Sequence, residues 1–567
     1  MPNSIPMSAL LFSESPPEVV RELDRLEKLA DACYEGLQIL RFPKNVASWA
    51  SLTRFVEILE STIHRWGTTY TPQFVATILN IGRSGSLLIE WIQRHGSEKL
   101  APQSRFKWHR TLATASALGF DTAHNYDGFT GCFPGWRRDR AAAEIRSPGT
   151  VRFTWAGGRF GRRVSAFQKG FSSETVKKAT GIPSSPVPDT PETRDRLARV
   201  LQACNRSGPL GFTYREPIGY YEFLEPFYKQ SLNSVFRRED SLSLGAYTLG
   251  DFKSFYIALL TVCATREILC HWWGVQAHEY PLDTAVIVKD FEEWVHLLGR
   301  LSSLSNEAVA TMLNDLTFPT QKPRRPFDLL VHPFVPLDRG SQILGLVPHL
   351  PLHSRPDENI LRICSYVNPV AYGSASQLKE QEMRSDLLSE LPPHIVAGGP
   401  VLLPWGIPDL DLILEDTCSS TLVLAELKWI RKPMSVFERC DRDEDFLKGV
   451  NQLRCIEKFM CENPRYLADR GKLSRSISEY SEVRYLLIAR DHFVWVDPNE
   501  AYPVFEHENF KRAMAETDTL HGALQQLLTF DWLPVEERDF TVKFETSRAN
   551  GVSIESEIFH APAKSML

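Results

Sequence analysis

The sequence predicts a multidomain α+β chain, with a mostly helical N-terminal region over residues 1–325 followed by a C-terminal α/β domain. Three observations carry this expectation. Apolar residues recur at helical spacing through the N-terminal half, as in Val20, Leu23, Leu26 and Leu29, which is the pattern of helices with one buried face. The stretch Lys322-Pro323-Arg324-Arg325-Pro326 is basic and broken by proline, a boundary signal. From residue 374 the patterns run helix, strand, strand, strand, helix, strand, the order of a central mixed sheet with helices on its faces.

Taken in order, residues 16–45, 52–63 and 74–92 read as amphipathic helices facing a core, and no chemical motif falls in them. Residues 131–171 differ. Between Arg137 and Lys169 there are nine Lys/Arg (Arg137, Arg138, Arg140, Arg146, Arg152, Arg159, Arg162, Arg163, Lys169) against two acids, Asp139 and Glu144. Trp136, Phe153, Trp155, Phe160 and Phe167 are interleaved with them. Arginine with aromatics suits phosphate contact and base stacking, and it equally suits a solvated basic surface over ordinary core aromatics. Arg159, Arg162 and Arg163 are the nucleic-acid-binding candidates. Val151–Trp155 reads as a strand and Gly157-Gly158-Arg159 as a turn. The glycines Gly157-Gly158-x-x-Gly161 match neither a Walker loop nor a dinucleotide fingerprint.

Residues 173–215, with Pro183–Pro191, read as an exposed loop or linker. Glu192–Ala203 is helical, and residues 249–314 hold two or three more helices. His271 and His278 flank Trp272-Trp273 without a clear third ligand, and are expected to be structural. Residues 326–373 form a connecting α/β segment with strands at Phe327–Val331 and Ile343–Val347 and a helix at Glu358–Tyr366. His349 and His353 have metal-like spacing, but Pro348 and Pro351 rule out a helix there, so they are discounted as ligands. The α/β domain spans 374–530. A helix at 374–391 exposes Glu380 and Glu382; a strand at Ile395–Leu403 and a hairpin at 407–430 follow. Asp443–Met460 is a helix on the spacing of Phe446, Val450, Leu453, Ile456 and Met460, with strands at Val483–Ala489 and Phe493–Val496 and a helix at Phe510–Leu528. Residues 531–567 form a terminal hairpin and tail, Phe540–Thr546 and Val552–Phe559 flanking the turn signal Asn550-Gly551.

The 567-residue chain has room for two to four domains. A formal charge of -6 does not announce a nucleic-acid binder over the whole chain, so local patches must carry any such argument. The ten cysteines show no Cys-x-x-Cys spacing, which fits reduced thiols. Met1-Pro2-Asn3-Ser4 lacks the basic and apolar regions of a signal peptide. The longest apolar run, Phe255–Ala264, is too short to span a bilayer. The expectation is a cytoplasmic protein without membrane association; oligomeric state is open.

The hairpin at 407–430 carries the chemistry. Its first strand holds Asp409, Asp411 and Ile413 on one face, and its second holds Leu422, Leu424, Glu426 and Lys428. A turn centred in Asp416–Thr421 sets Asp411 opposite Glu426 and Asp409 opposite Lys428. Opposed like charges destabilise a sheet. Among so many Leu, Ile and Val residues two carboxylates need a partner, and a divalent cation is the natural one. Two carboxylates sharing one cation stand on the order of 4–6 Å apart, given coordination at about 2.0–2.1 Å. Asp409 has a plainer reading as the ion-pair partner of Lys428.

The order αβββαβ, with Asp411 opening an apolar run and Glu426-Leu427-Lys428 on the next strand, resembles the PD-(D/E)xK, or restriction-endonuclease-like, nuclease superfamily over roughly residues 374–500. No resemblance covers residues 1–325. The resemblance implies a metal-dependent nuclease hydrolysing phosphodiester bonds of nucleic acid, with DNA the leading substrate. It implies Mg²⁺, with Mn²⁺ as a substitute, held by Asp411 and Glu426, with a backbone carbonyl near Leu427 as a further ligand. Lys428 positions the water and offsets charge at phosphorus. Gln452 in the following helix matches a glutamine that several branches carry, and Glu382 lies in the helix where some branches place an additional acid that binds a second metal or a water. Restriction or anti-phage defence follows by analogy. The competing reading is a catalytically silent nuclease-fold protein that binds nucleic acid or a protein partner.

Overall fold

The computed structural model describes residues 16–66, 72–103, 106–155, 157–168, 190–208, 211–235, 240–277, 280–319, 328–338, 340–354, 356–431, 433, 436–490 and 501–560. Lys169, most of the 173–191 loop, His278, Lys322–Pro326, Phe493–Val496 and the first four residues lie outside them.

The N-terminal region is helical as expected. It runs through α1 (Pro17–Asp31), α2 (Lys44–Trp66), α3 (Pro72–His95) and α4 (Arg110–Arg137), then the hairpin β1 (Ala141–Ser147) and β2 (Thr150–Trp155) and α5 (Gly158–Gln168). Next come α6 (Pro191–Gln202), the short pair β3 (Asn205–Gly208) and β4 (Gly211–Thr213), α7 (Ile218–Val235), α8 (Leu249–Ala277), β5 (Ile287–Asp290), α9 (Phe291–Ser302) and α10 (Asn306–Asp315). The helices bury apolar faces in two large cores, one around Trp49, Phe55 and Ile89, the other around Phe255, Leu259 and Trp294.

Beyond the boundary the chain forms β6 (Phe334–Pro336), β7 (Ile343–Leu346), the one-turn helix α11 (His349–His353) and α12 (Pro356–Val367). β5, β7 and β6 make a three-stranded sheet, so the connecting segment is stitched to the N-terminal region. Residues 328–331 form a turn and not the expected strand; the strand begins at Phe334. The helix at His349–His353 corrects the expectation from Pro348 and Pro351. Pro348 is the N-cap, and a single turn makes few of the bonds that an internal proline would break.

The C-terminal domain comprises α13 (Pro369–Ser389), β8 (Ile395–Gly398), β9 (Leu412–Asp416), β10 (Thr421–Trp429), α14 (Val436–Glu462), β11 (Glu482–Arg490), β12 (Val504–Glu506), α15 (His507–Thr517) and α16 (Leu520–Leu528). Its sheet runs β12-β11-β10-β9-β8, with β10 parallel to β11 and antiparallel to β9. The central strand β10 is buried on both faces. Leu422 and Leu424 pack with Phe446, Leu453 and Ile456 of α14. Val423, Ala425 and Leu427 pack with Met383 of α13 and Leu524 of α16. The helix expected over Phe510–Leu528 is two helices, because Asp518 adopts a left-handed conformation (φ 56°) between them.

The terminal hairpin, β13 (Thr541–Ala549) and β14 (Val552–His560), is not an appendage. β14 pairs in parallel with β2, giving a four-stranded sheet β1-β2-β14-β13 that joins the C-terminal hairpin to the N-terminal region. Among the described residues no helix is long and apolar enough to cross a membrane.

Candidate active site

Hairpin register places the expected residues together. β9 and β10 pair with Leu412 across from Ala425, so the next step sets Asp411, just before the strand, across from Glu426. An Asp411 carboxylate oxygen accepts the Leu427 backbone N–H at 2.9 Å, and its carboxyl lies within hydrogen-bonding reach of Glu426. Glu426 is 3% exposed. One of its oxygens takes the Lys428 ammonium; the other, Oε2, is buried and receives no donor among the described residues.

Burial first, then the neighbouring Asp411, pushes the Glu426 carboxyl up to about 7, against the opposing pull of Lys428. Burial works to lower the Lys428 ammonium, but Glu426, Asp411 and Glu380 hold it above its ordinary value. Helix α14 closes over this lysine at Gly449, where a Cβ would stand 3.4 Å from Lys428 Cε and 2.5 Å from Leu487 Cδ1. Only a glycine lets the helix approach so closely. Gln452, one turn further, is half-buried on the same helix and makes no hydrogen bond among the described residues.

Helix α13 contributes a different acid from the one expected. Glu382 is exposed and points away from the cluster, whereas Glu380 is half-buried. The Glu380 carboxylate accepts the Trp429 backbone N–H and interacts with Lys428 and Asp411; burial raises its pKa. In sequence the two acids are equivalent, because the helix pattern alone does not say which side of α13 meets the end of β10. Asp409 is not the partner of Lys428. It is exposed and accepts the Leu403 backbone N–H at 3.2 Å, closing the loop between the bridged residues Val401 and Leu410. Trp405 stands fully exposed in that loop.

The donor set fits a hard divalent cation. Two carboxylates converge on one lysine with a third close by, and a buried carboxylate oxygen receives no donor among the described residues. A carboxyl pushed up by burial first and by its like-charged neighbour second is relieved by a cation beside its free oxygen. Two tighter groups of ligating atoms lie elsewhere, His394/Asp416/Cys418 and Asp386/His507/Glu508. In the first, Asp416 is already engaged by the N–H groups of Cys418, Ser419 and Leu520 and by the Ser419 hydroxyl. In the second, Asp386 faces Lys511 at 3.0 Å and Arg490 at 3.6 Å. In both groups the aspartate is already engaged by protein donors.

The basic segment behaves otherwise than a nucleic-acid surface. Arg162 pairs with Glu557 and Glu536. Arg163 donates to the Pro534 and Leu533 carbonyls at 3.0 Å each. Arg152 pairs with Glu555 at 2.6 Å, and Arg138 with Asp441 at 2.9 Å. Phe160 and Phe167 pack edge-on against Phe530 and Trp532. The segment is a seam between the N-terminal region and the C-terminal residues, and of the three candidate arginines only Arg159 is exposed. Glycine spacing misled at this point too, since Gly158 and Arg159 open α5 rather than form a free turn.

No protein-family model, no curated protein and no solved structure matches this chain.

Proposed function

We propose that the chain is a divalent-metal-dependent nuclease, a phosphodiesterase acting on nucleic acid with DNA as the leading substrate. The observation that carries this reading is the buried oxygen of Glu426 that receives no donor among the described residues, beside Asp411 and with Lys428 on the same face. Asp411 and Glu426 would hold Mg²⁺, or Mn²⁺ in its place, and Glu380 stands where it would orient a water at the edge of the site. When bound, the cation supplies Lewis-acid polarisation of a phosphate oxygen and neutralises charge on it. Lys428, fixed by Glu426, aligns a water by hydrogen bonding and stabilises negative charge as it develops at phosphorus. Gln452, with its amide free to bond, orients a phosphate oxygen from α14. Trp405, exposed in the loop that precedes Asp411, offers an aromatic face on which an unpaired base would stack.

The test is incubation of the wild type and Glu426→Gln with plasmid, linear duplex and single-stranded DNA and with RNA, in Mg²⁺ or in EDTA. The wild type is expected to cleave in Mg²⁺ only. Glu426→Gln is expected to lose on the order of 10³-fold or more in rate, at least what removal of one preorganised electrostatic group removes. Equal cleavage by both proteins would reject the assignment. Metal binding without cleavage of any substrate would favour the silent binding module.

A further inference from the structure

A second constellation lies in the helical region, far in sequence from the hairpin. Helix α2 carries Glu60 and His64, four residues apart and so on one face. Helix α8 carries Glu267 and His271 in the same arrangement. Glu60, His64 and His271 line one cavity of about 300 Å³. Glu60 is the centre of the group. His349 Nε2, on α11, sits 2.9 Å from its Oε1, and the Tyr280 hydroxyl donates to the same oxygen at 3.1 Å. Its Oε2 faces His271 Nδ1 at 3.7 Å. Glu267 stands close enough to interact with Glu60, His271 and His349, and no hydrogen bond satisfies its carboxylate among the described residues. His349 is 1% exposed, and its Nδ1 is buried without a partner.

One carboxylate and two histidines line the cavity, and a third histidine fixes the carboxylate from behind. Ligands of a four-coordinate ion stand about 3.3 Å apart, the edge of a tetrahedron with bonds of about 2.0–2.1 Å. Glu60 and His271 are within a few tenths of an ångström of that separation. His64 and His271 are exposed and line the cavity. Imidazole with carboxylate selects Zn²⁺ or Co²⁺ over Mg²⁺. His349 and His353 share one turn of α11 with ring centroids 6.2 Å apart.

We propose that this cavity is a transition-metal site for an ion of the Zn²⁺ or Co²⁺ class, bound by Glu60, His64 and His271, which line it, with His349 as the positioning residue for Glu60. The inference does not rest on the nuclease reading. It is tested on the full chain carrying Glu426→Gln, which silences the hairpin site, after removal of metal with EDTA and exchange into metal-free buffer. Titration with Co²⁺ alone is followed by visible d–d absorption, with displacement by Zn²⁺. One Co²⁺ per chain is expected. Adding His64→Ala and His271→Ala, both surface changes checked for folding by circular dichroism, should weaken binding by more than about 100-fold. His349→Gln should weaken it by about 10–100-fold, the range for loss of a second-shell partner. No bound Co²⁺ in the Glu426→Gln chain, or equal affinity after removal of both histidines, overturns the proposal and leaves Glu60 and His349 a hydrogen-bonded pair only.

Discussion

Glu426 couples stability to pH. Its carboxyl is raised to about 7 in the folded chain by burial and by Asp411, while an unfolded glutamate titrates at about 4.3. Between those values the folded state binds the extra proton, so the stabilisation it brings is fully present below the unfolded pKa and is lost as pH rises through about 7. Metal-free Glu426→Gln is therefore expected to melt several degrees above the wild type at pH 8 and level with it at pH 4, read by thermal denaturation in EDTA. Mg²⁺ should restore the wild type at pH 8 and leave the variant unmoved. Neighbouring acids on α13 separate in the same way. Glu380→Gln should lower the rate of Mg²⁺-dependent cleavage by about 10–100-fold, as loss of a group supporting a metal site does, while Glu382→Gln, exposed and remote from Lys428, should leave it unchanged.

At the scale of elements, the site is the end of one strand held between two helices. β10 is buried on both faces and so cannot slide, because a one-residue slip would carry Glu426 and Lys428 to the opposite face. α14 sets the depth of the pocket through Gly449. A valine there would drive its Cβ to within 2.5 Å of Leu487 Cδ1 and crowd Lys428 Cε. Overpacking of this kind costs about 1–3 kcal/mol, so Gly449→Val should lower the denaturant midpoint and reduce kcat together. Unchanged kcat in a folded variant would separate α14 from the positioning of Lys428.

Over the whole molecule, a buried charge network ties the α/β domain to what precedes it. Glu438, at the start of α14, accepts from Arg362 of α12 at 3.1 Å and from Arg431, just past β10, at 3.2 Å. The Tyr366 hydroxyl joins it at 3.3 Å. Removing the carboxylate would leave two guanidinium groups buried at 0% and 2% exposure. Breaking such a pair costs on the order of 3–5 kcal/mol, so Glu438→Ala should be strongly destabilised in urea melts. The same layout bears on dissection of the chain. Residues 374–530 cut out alone would expose the faces covered by α12 and by Val164, Phe160 and Phe167.

What the sequence determined by itself was local and periodic. Alternation along 409–428 set the face and register of Asp411, Glu426 and Lys428, since a strand's period of two and one short polar turn leave little choice. Helical spacing located most of the helices. Tertiary packing decided what has no local signature. It chose Glu380 over Glu382, since only the docking of α13 on β10 distinguishes them, and it turned Arg162 and Arg163 inward onto Glu557 and the Pro534 carbonyl. It also brought Glu60, Glu267, His271 and His349 together across nearly 300 residues. The reason is range: periodicity reports which face an element buries, whereas the partner of a charge depends on which other element the fold lays against it.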